Sequence, residues 1–524
     1  MAWNMQGEDL ISAIQPLRLP PTRIVTMVLA CGAALLIVPA ASGFQLATRW
    51  SSTATGSTGS QGSPVKLTWS FAPDGTAIPA PNSGTSSLIS FLDTQFGTAS
   101  GTDLTARPWF AYFSQSFDRW SQLSGVTFTY EPHDNGAQLR NSAGSLGSRG
   151  DIRIAGSHID GASHTLAQTT YPNSGDMQFD TDDGAFFSNA TLSHRAFRNT
   201  ITHEIGHAIG LAHVATSANG VFLMQANNSL NFDGPQIDDI LGVQSYYGDF
   251  DEKSNGGLGN DTAAHATSLG AIAVGATKSI GTSPAVVAAR PIGSQYVIPT
   301  DTDFVSIDSS SDADYYSFSV SGAARLSAML TPRGGSYMQG PVGGSQSLFN
   351  ASAQSDLTLA IYSTNGTTQL ALSSSAPVGQ AEIRSNLVLP AAGQYYARVT
   401  GAAAAVQLYD LQLAVAAPFL AGDYNRNGKV DSGDYTVWRD TFGRTGLALS
   451  ADGDGNGSVD TADFGIWKTN FGAMSPGSGA GSGPFAGGAV PEPSAAILLA
   501  IGGILWLLPR YYPRKPLRTA SHRE

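Results

Sequence analysis

The chain has 524 residues, a net charge of −12, and only 13% Asp, Glu, Lys and Arg. That length suits three or four domains, and an acidic chain without a basic patch excludes a nucleic-acid-binding role. A single cysteine, Cys31, excludes an intramolecular disulfide, and 60 glycines among abundant Ser, Thr and Ala predict a loop-rich, β-rich architecture.

In chain order, Arg18 and Arg23 precede an apolar run over 24–38, followed by the small residues Pro39-Ala40-Ala41-Ser42-Gly43. Residues 1–43 read as an export signal, the run of about 15 residues being short for a stable membrane span. Val28-Leu29-Ala30-Cys31 loosely resembles a lipoprotein processing site, but the apolar run continues to Val38, where a mature lipoprotein would turn polar. Export without disulfides is workable where calcium staples the domains instead. Residues 44–64 are expected to be a linker, and Val65-Lys66-Leu67-Thr68-Trp69 a strand.

The segment His203-Glu204-Ile205-Gly206-His207-Ala208-Ile209-Gly210-Leu211-Ala212-His213 fits HExxHxxGxxH at every fixed position. Two histidines four apart project from one face of a helix and can share a zinc ion. Glu204 stands beside the first ligand, placed to act as general base on the attacking water. Gly210 permits the turn that ends the helix, and His213 returns as third ligand. Three protein ligands leave a fourth position open, as catalytic sites require. HExxH alone is a weak pattern; the added glycine and third histidine make coincidence improbable.

This segment resembles the metzincin zinc endopeptidases, and its surroundings resemble the matrixin branch. Phe222-Leu223-Met224 occupies the place of the Met-turn, with Met224 beneath the metal. Residues 238–248 are similar to the final helix of a matrixin catalytic domain, Phe117-Asp118-Arg119-Trp120-Ser121 to its first helix, and Gly150-Asp151-Ile152-Arg153-Ile154 to a central strand. The resemblance covers residues 65–249 and implies an α/β (α+β) domain with one catalytic zinc. Departures accompany it. Gln168 and Gln178 stand where matrixins carry histidines for a structural zinc, and an amide is a poor zinc ligand. Asp180, Asp182 and Asp183 could hold a calcium instead, His158, Asp160 and His164 lying nearby in sequence. Gln225-Ala226-Asn227 replaces the usual residues after the Met-turn, so cleavage preference does not carry over. The only thiol falls in the export signal, which argues against latency through a propeptide cysteine.

Residues 250–257 read as a linker. From 258 to 416, alternating stretches such as Tyr315-Tyr316-Ser317-Phe318-Ser319-Val320 predict an antiparallel β-sandwich. Asp312-Ala313-Asp314-Tyr315-Tyr316-Ser317-Phe318 and Gly393-Gln394-Tyr395-Tyr396-Ala397-Arg398-Val399 resemble the pre-peptidase C-terminal domain, which implies a binding or spacer role. Residues 421–472 contain two copies of a calcium-loop pattern: Asp423, Asn425, Asn427, Lys429, Asp431 and Asp434, then Asp452, Asp454, Asn456, Ser458, Asp460 and Asp463. Each loop is followed by a periodic helix, and the pair resembles a dockerin type I module, a small α unit binding two calcium ions. Ser432-Gly433 and Thr461-Ala462 replace the hydroxyl pairs of cohesin recognition, leaving a calcium-folded spacer as an equal alternative.

Residues 473–489 form a Gly/Ser linker. Val490-Pro491-Glu492-Pro493-Ser494, an apolar run over 495–508 and then Arg510, Arg514, Lys515 and Arg518 resemble the PEP-CTERM sorting signal over 490–524, which implies an exosortase-type processing enzyme. Fourteen apolar residues make about 21 Å of helix, short of a hydrocarbon core of about 30 Å.

The expectation is therefore a multidomain, exported protein of the cell envelope or exterior, transiently membrane-anchored through its C-terminal segment. It would hydrolyse peptide bonds of a protein or peptide substrate by zinc-activated water with Glu204 as base. The alternative is a catalytically vestigial surface protein whose β-sandwich and calcium repeats bind matrix polysaccharide or a cohesin-like partner.

Overall fold

The computed structural model describes residues 44–474 except 141–142, 217–220, 419 and 448. The expected export signal and the sorting segment over 490–524 lie outside the described residues, as does the linker beyond residue 474. Among the described residues no helix is long and apolar enough to cross a membrane.

The first part of the chain builds a five-stranded sheet from β1 (Val65–Phe71), β2 (Val126–Tyr130), β3 (Ile152–Ser157), β4 (Ala167–Thr169) and β5 (Met177–Asp180). The order is β2-β1-β3-β5-β4, parallel except for the edge strand β4, which runs antiparallel to β5. Six of the seven residues of β1 are buried, as an inner strand of a sheet covered on both faces requires. Four longer helices accompany the sheet: α1 (Leu88–Phe96), α2 (Phe110–Leu123), α3 (Arg195–Ala208) and α4 (Ile237–Tyr247). On α2, Phe113, Phe117 and Trp120 recur at helical spacing and are buried; Trp69 of β1 stacks on Phe117 at 4.4 Å between ring centroids. On α3, Phe197, Ile201, Ile205 and Ala208 form the buried stripe that fixes the rotation of the helix.

Residues 44–64 are not a free linker. Phe44 and Trp50 are buried; Trp50 Nε1 donates to Ala208 O at 2.8 Å, and the Arg49 guanidinium donates to Tyr246 O at 2.8 Å. Ala47 N donates to Gly210 O and Ala212 N to Gln45 O, so this strap lies along the end of α3. Residues 250–257 are ordered too: Asp251–Gly256 forms a 3-10 turn, Glu252 is buried, and Lys253 Nζ donates to Val126 O at 3.2 Å.

Beyond the turn lie two larger sheets. One has the order β6-β9-β16-β13-β14, from β6 (Thr267–Ala271), β9 (Ala313–Val320), β13 (Leu357–Tyr362), β14 (Gln369–Ser373) and β16 (Gly393–Gly401). The other has the order β7-β17-β10-β15, from β7 (Thr277–Ile280), β10 (Ala324–Pro332), β15 (Glu382–Leu389) and β17 (Gln407–Ala416), with β8 (Val305–Ile307) also paired to β17. All pairings are antiparallel except β6 with β9. Phe318, Leu359 and Val399 from one sheet share a single apolar core with Leu326, Leu411 and Leu413 from the other. A hairpin of β11 (Ser336–Gln339) and β12 (Ser347–Asn350) pairs with neither sheet. Its Tyr337 and Phe349, with Val297 and Phe304, belong to the core of the first domain. The structural boundary between the domains therefore departs from residues 258–416: this region lends side chains to its neighbour.

The duplicated loops each lead into a short helix, α5 (Ser432–Thr441) and α6 (Thr461–Asn470). Asp431 with Asp434, and Asp460 with Asp463, form matching capping boxes. The copies interlock reciprocally: Trp438 Nε1 donates to Asp460 O at 2.7 Å and Trp467 Nε1 to Asp431 O at 2.8 Å.

Candidate active site

Helix α3 presents His203 and His207 on the face opposite its apolar stripe, one turn apart. After α3 the chain reverses at Gly210, whose φ is +104°. A Cβ there would lie 2.1 Å from Thr48 O, so both the turn and the strap require glycine. The reversal brings His213 back over the helix end. The three Nε2 atoms lie 3.0–3.1 Å from one another. A single ion at the usual zinc–nitrogen distance of about 2.0–2.1 Å reaches all three.

The outer ring nitrogens are engaged in a way that favours this use. His203 Nδ1 pairs with Leu223 O and His207 Nδ1 with Leu211 O, each at 2.7 Å. A carbonyl accepts only, so each Nδ1 carries the proton and each Nε2 offers its lone pair inward. Burial and the neighbouring His213 pull His203 down to about 4; burial and the other two imidazoles hold His207 well below its ordinary value; burial lowers His213. All three are therefore neutral near pH 7, the state a ligand needs. The donor set fits zinc.

Glu204 is buried beside the triad, and burial pushes its carboxyl up to about 7 despite a 2.6 Å hydrogen bond from Thr169 Oγ1. Met224 lies under the helix: a Cβ on Gly206 would come within 2.4 Å of its sulfur. The turn holding Met224 is itself suspended from α4, where the Asp239 carboxylate accepts from Leu223 N at 2.8 Å and Met224 N at 3.1 Å. A cavity of about 490 Å³ opens over this group, bounded by the edge strand β4 on one side and Gln225, Ala226, Asn227 and Asn228 on another.

Gln168 and Gln178 face each other, Gln168 Nε2 donating to Gln178 Oε1 at 2.7 Å, while Arg140 Nη2 donates to the same oxygen at 2.8 Å. An amide pair thus satisfies itself where two imidazoles would share a metal. Nearby, His158, Asp180 and Asp182 bring ligand atoms within 4.8 Å of one another, and Asp183 Oδ2 is buried without a partner. In the second repeat Asp452, Asp454 and Asp463 converge to the same degree. Asn456 N donates to Asp452, and Ser458 N to Asn456 Oδ1, while the Asp460 side chain caps α6. The first repeat has the same turns: Asn427 N donates to Asp423, Lys429 N to Asn427 Oδ1, and Asn425 N to Asp434. Asp431 caps α5.

Four supporting features are absent from the sequence reading: Thr169 on Glu204, the carbonyls of Leu211 and Leu223 on the imidazoles, Asp239 on the Met224 turn, and Tyr171, whose ring stands edge-on to His207 at 5.8 Å. The carbonyls leave no side-chain signal at all. Asp239 was readable as an acidic residue in the first turn of a helix, though its partner was not.

A helix-borne pair of imidazoles, a third beyond a glycine turn and a buried carboxylate beside them form a group that could hold one metal ion. Residues 96–248 match the family model for matrixin, and that stretch contains all four of these side chains. The chain is 30% identical over 148 residues to a hatching enzyme of Paracentrotus lividus, an alignment covering 28% of this chain and 23% of that protein. It is 29% identical over 153 residues to metalloendoproteinase 5-MMP of Arabidopsis thaliana, covering 28% of this chain and 41% of that one. The chain thus spans less than half the length of these relatives. Among solved structures, the pre-peptidase C-terminal domain of a collagenase from Bacillus anthracis aligns at 12% identity and a TM-score of 0.16, covering 29% of this chain and 95% of that one.

Proposed function

We propose that this chain is a zinc-dependent endopeptidase acting on protein or peptide substrates. The observation that carries the proposal is the placement of Glu204, buried beside three converging imidazoles at the floor of an open cavity. A purely structural metal site has no need of that carboxylate. Zinc, held by His203, His207 and His213, would supply Lewis acidity, polarising the scissile carbonyl and acidifying the attacking water. Glu204 takes the proton from that water and returns it to the leaving amine. Thr169 holds the carboxylate in place through its hydroxyl. The edge strand β4, unpaired on its cavity side, offers backbone groups to an extended substrate. Met224 and Asp239 keep the helix and the third ligand in register.

The same reading makes the two later sheets a β-sandwich spacer, the duplicated loops a calcium-folded module, and the chain an exported protein. The test is hydrolysis of a mixed peptide library by the full-length protein with zinc quantified, beside Glu204→Gln. Cleavage by the wild type alone supports a peptidase. Bound zinc with no cleavage by either protein would favour a catalytically vestigial surface protein.

A further inference from the structure

His203 and His207 ride on one helix, so their spacing is set by helix geometry. His213 does not share that frame, and its position depends on what holds the chain just after it. Val214 N donates to Met224 O at 3.0 Å, and Val214 pairs with Gln225 on that side. On the other side Val214 pairs with Pro341, and Ala215 N donates to Gly340 O at 2.8 Å. Gly340 and Pro341 form the tip of the β11–β12 hairpin. From the same tip, Gln346 Nε2 donates to Thr216 O at 2.8 Å. The segment leaving the third ligand is therefore bridged on both sides, to the Met224 segment on one flank and to a hairpin of the following domain on the other.

The base of that hairpin reaches the second support of the centre. Tyr337 is buried; its ring lies 5.7 Å from Phe222 and its hydroxyl donates to Asp238 Oδ1 at 2.8 Å. Asp238 is buried, Tyr337 is its side-chain partner, and its other oxygen has none among the described residues. The next residue, Asp239, spends both oxygens on Leu223 N, Met224 N and Gln236 N, and Leu223 O in turn receives His203 Nδ1. A side chain from the second domain thus bonds the residue next to Asp239, whose carboxylate holds the Leu223 peptide that orients the His203 imidazole.

We propose that the β11–β12 hairpin is part of the metal centre, with Tyr337 a positioning residue for it, so that the working catalytic unit extends past residue 249 to include the hairpin. The proposal rests on the peptidase reading. The hairpin does not line the cavity; it acts by fixing the segment after His213 from one side and the first turn of α4 from the other.

The experiment uses the full-length protein and Tyr337→Phe, which removes one hydroxyl and keeps the ring, beside Gln346→Ala, which trims a half-buried side chain. Three quantities are measured: zinc loss to a chelator, kcat and KM on a cleaved peptide, and the visible absorption of the cobalt-substituted protein. Direct partners of metal ligands change affinity by about 10–100-fold, so Tyr337, which reaches His203 through Asp238, Asp239 and Leu223, should change it by less, about 3–10-fold. Tyr337→Phe is expected to speed zinc loss by about that factor, lower kcat comparably with KM held within about twofold, and shift the cobalt spectrum. Gln346→Ala should move all three in the same direction by less. Variants that lower the unfolding temperature while zinc loss, kcat and the cobalt spectrum stay at wild-type values would make the hairpin a mere structural contact and overturn the proposal. If the wild type binds zinc but cleaves nothing, the peptidase reading fails, and zinc loss and the cobalt spectrum still decide on the hairpin.

Discussion

Replacing Gly210 with alanine should disable the protein through two separable costs. The backbone at Gly210 has a φ of +104°, and holding an L-residue there costs about 1–3 kcal/mol. The new Cβ would also stand 2.1 Å from Thr48 O, a contact no rotamer relieves because the backbone fixes the Cβ position and Thr48 O is a main-chain atom. The strap must therefore lift, and with it go Ala47 N to Gly210 O at 2.8 Å and Ala212 N to Gln45 O at 2.9 Å. At about 1 kcal/mol for each of those bonds, the total is about 3–5 kcal/mol, a large share of the ~5–15 kcal/mol that holds a domain folded. Because Ala212 directly precedes His213, zinc retention should fall as well. Urea unfolding of the zinc-loaded protein measures the first quantity and chelator competition the second. A loss below about 1 kcal/mol with zinc binding intact would refute the reasoning, since it would mean that the strap moves freely and the turn tolerates a side chain.

Other expectations follow from neighbouring features. Glu204→Gln should abolish hydrolysis while leaving zinc content at the wild-type level, checked by metal analysis on the same sample. Asp239→Ala leaves three backbone N–H groups without their acceptor and should cost about 3–5 kcal/mol, with faster zinc loss, read by denaturation and chelator competition. At the domain junction, burial and neighbouring carboxylates push Glu252 up to about 10 and hold Asp249, Asp312 and Asp314 well above the carboxylate range. Their folded values exceed their unfolded ones, so their contribution is full below about pH 4 and is lost as pH rises toward the folded values. In cation-free buffer the unfolding temperature should drop between pH 5 and 9; a flat or rising profile would contradict the raised values. Removing calcium should loosen α5 and α6 and alter the fluorescence of Trp438 and Trp467, with readdition restoring it; indifference to chelator would leave the duplicated loops without a calcium role.

The His203–His213 segment was legible because the chemistry proposed for it fixes residue types at fixed offsets: imidazoles one turn apart, a carboxylate beside the first, a glycine at a reversal. Gln168 and Gln178 stood out only against the matrixin resemblance, and the structure adds that the two amides bond each other. The strap over residues 44–50 was not legible. Its main-chain hydrogen bonds to Gly210 and Ala212 are ones any sequence can make, the partners of Trp50 and Arg49, Ala208 O and Tyr246 O, lie far along the chain, and its Ser- and Thr-rich continuation reads as a spacer. The hairpin was equally hidden. Ser336-Tyr337-Met338-Gln339 alternates like any short strand, and nothing local says that Tyr337 is buried in a neighbour's core some 100 residues upstream, as its bond to Asp238 shows. Short-range pattern reports a residue's periodicity; it does not report whose core the residue completes.

Shared side chains also restrict how such a protein can be rearranged over time. Modules exchanged by recombination survive the move when each closes its own core. Here Tyr337, Phe349, Val297 and Phe304 are encoded with the later sheets yet fill the earlier domain. A crossover near residue 250 would leave one product with a hole beside its Met224 turn and the other with an apolar hairpin facing water. The two regions must therefore be inherited together, and a homologue that lacks the later sheets must fill the space beside α4 with something else.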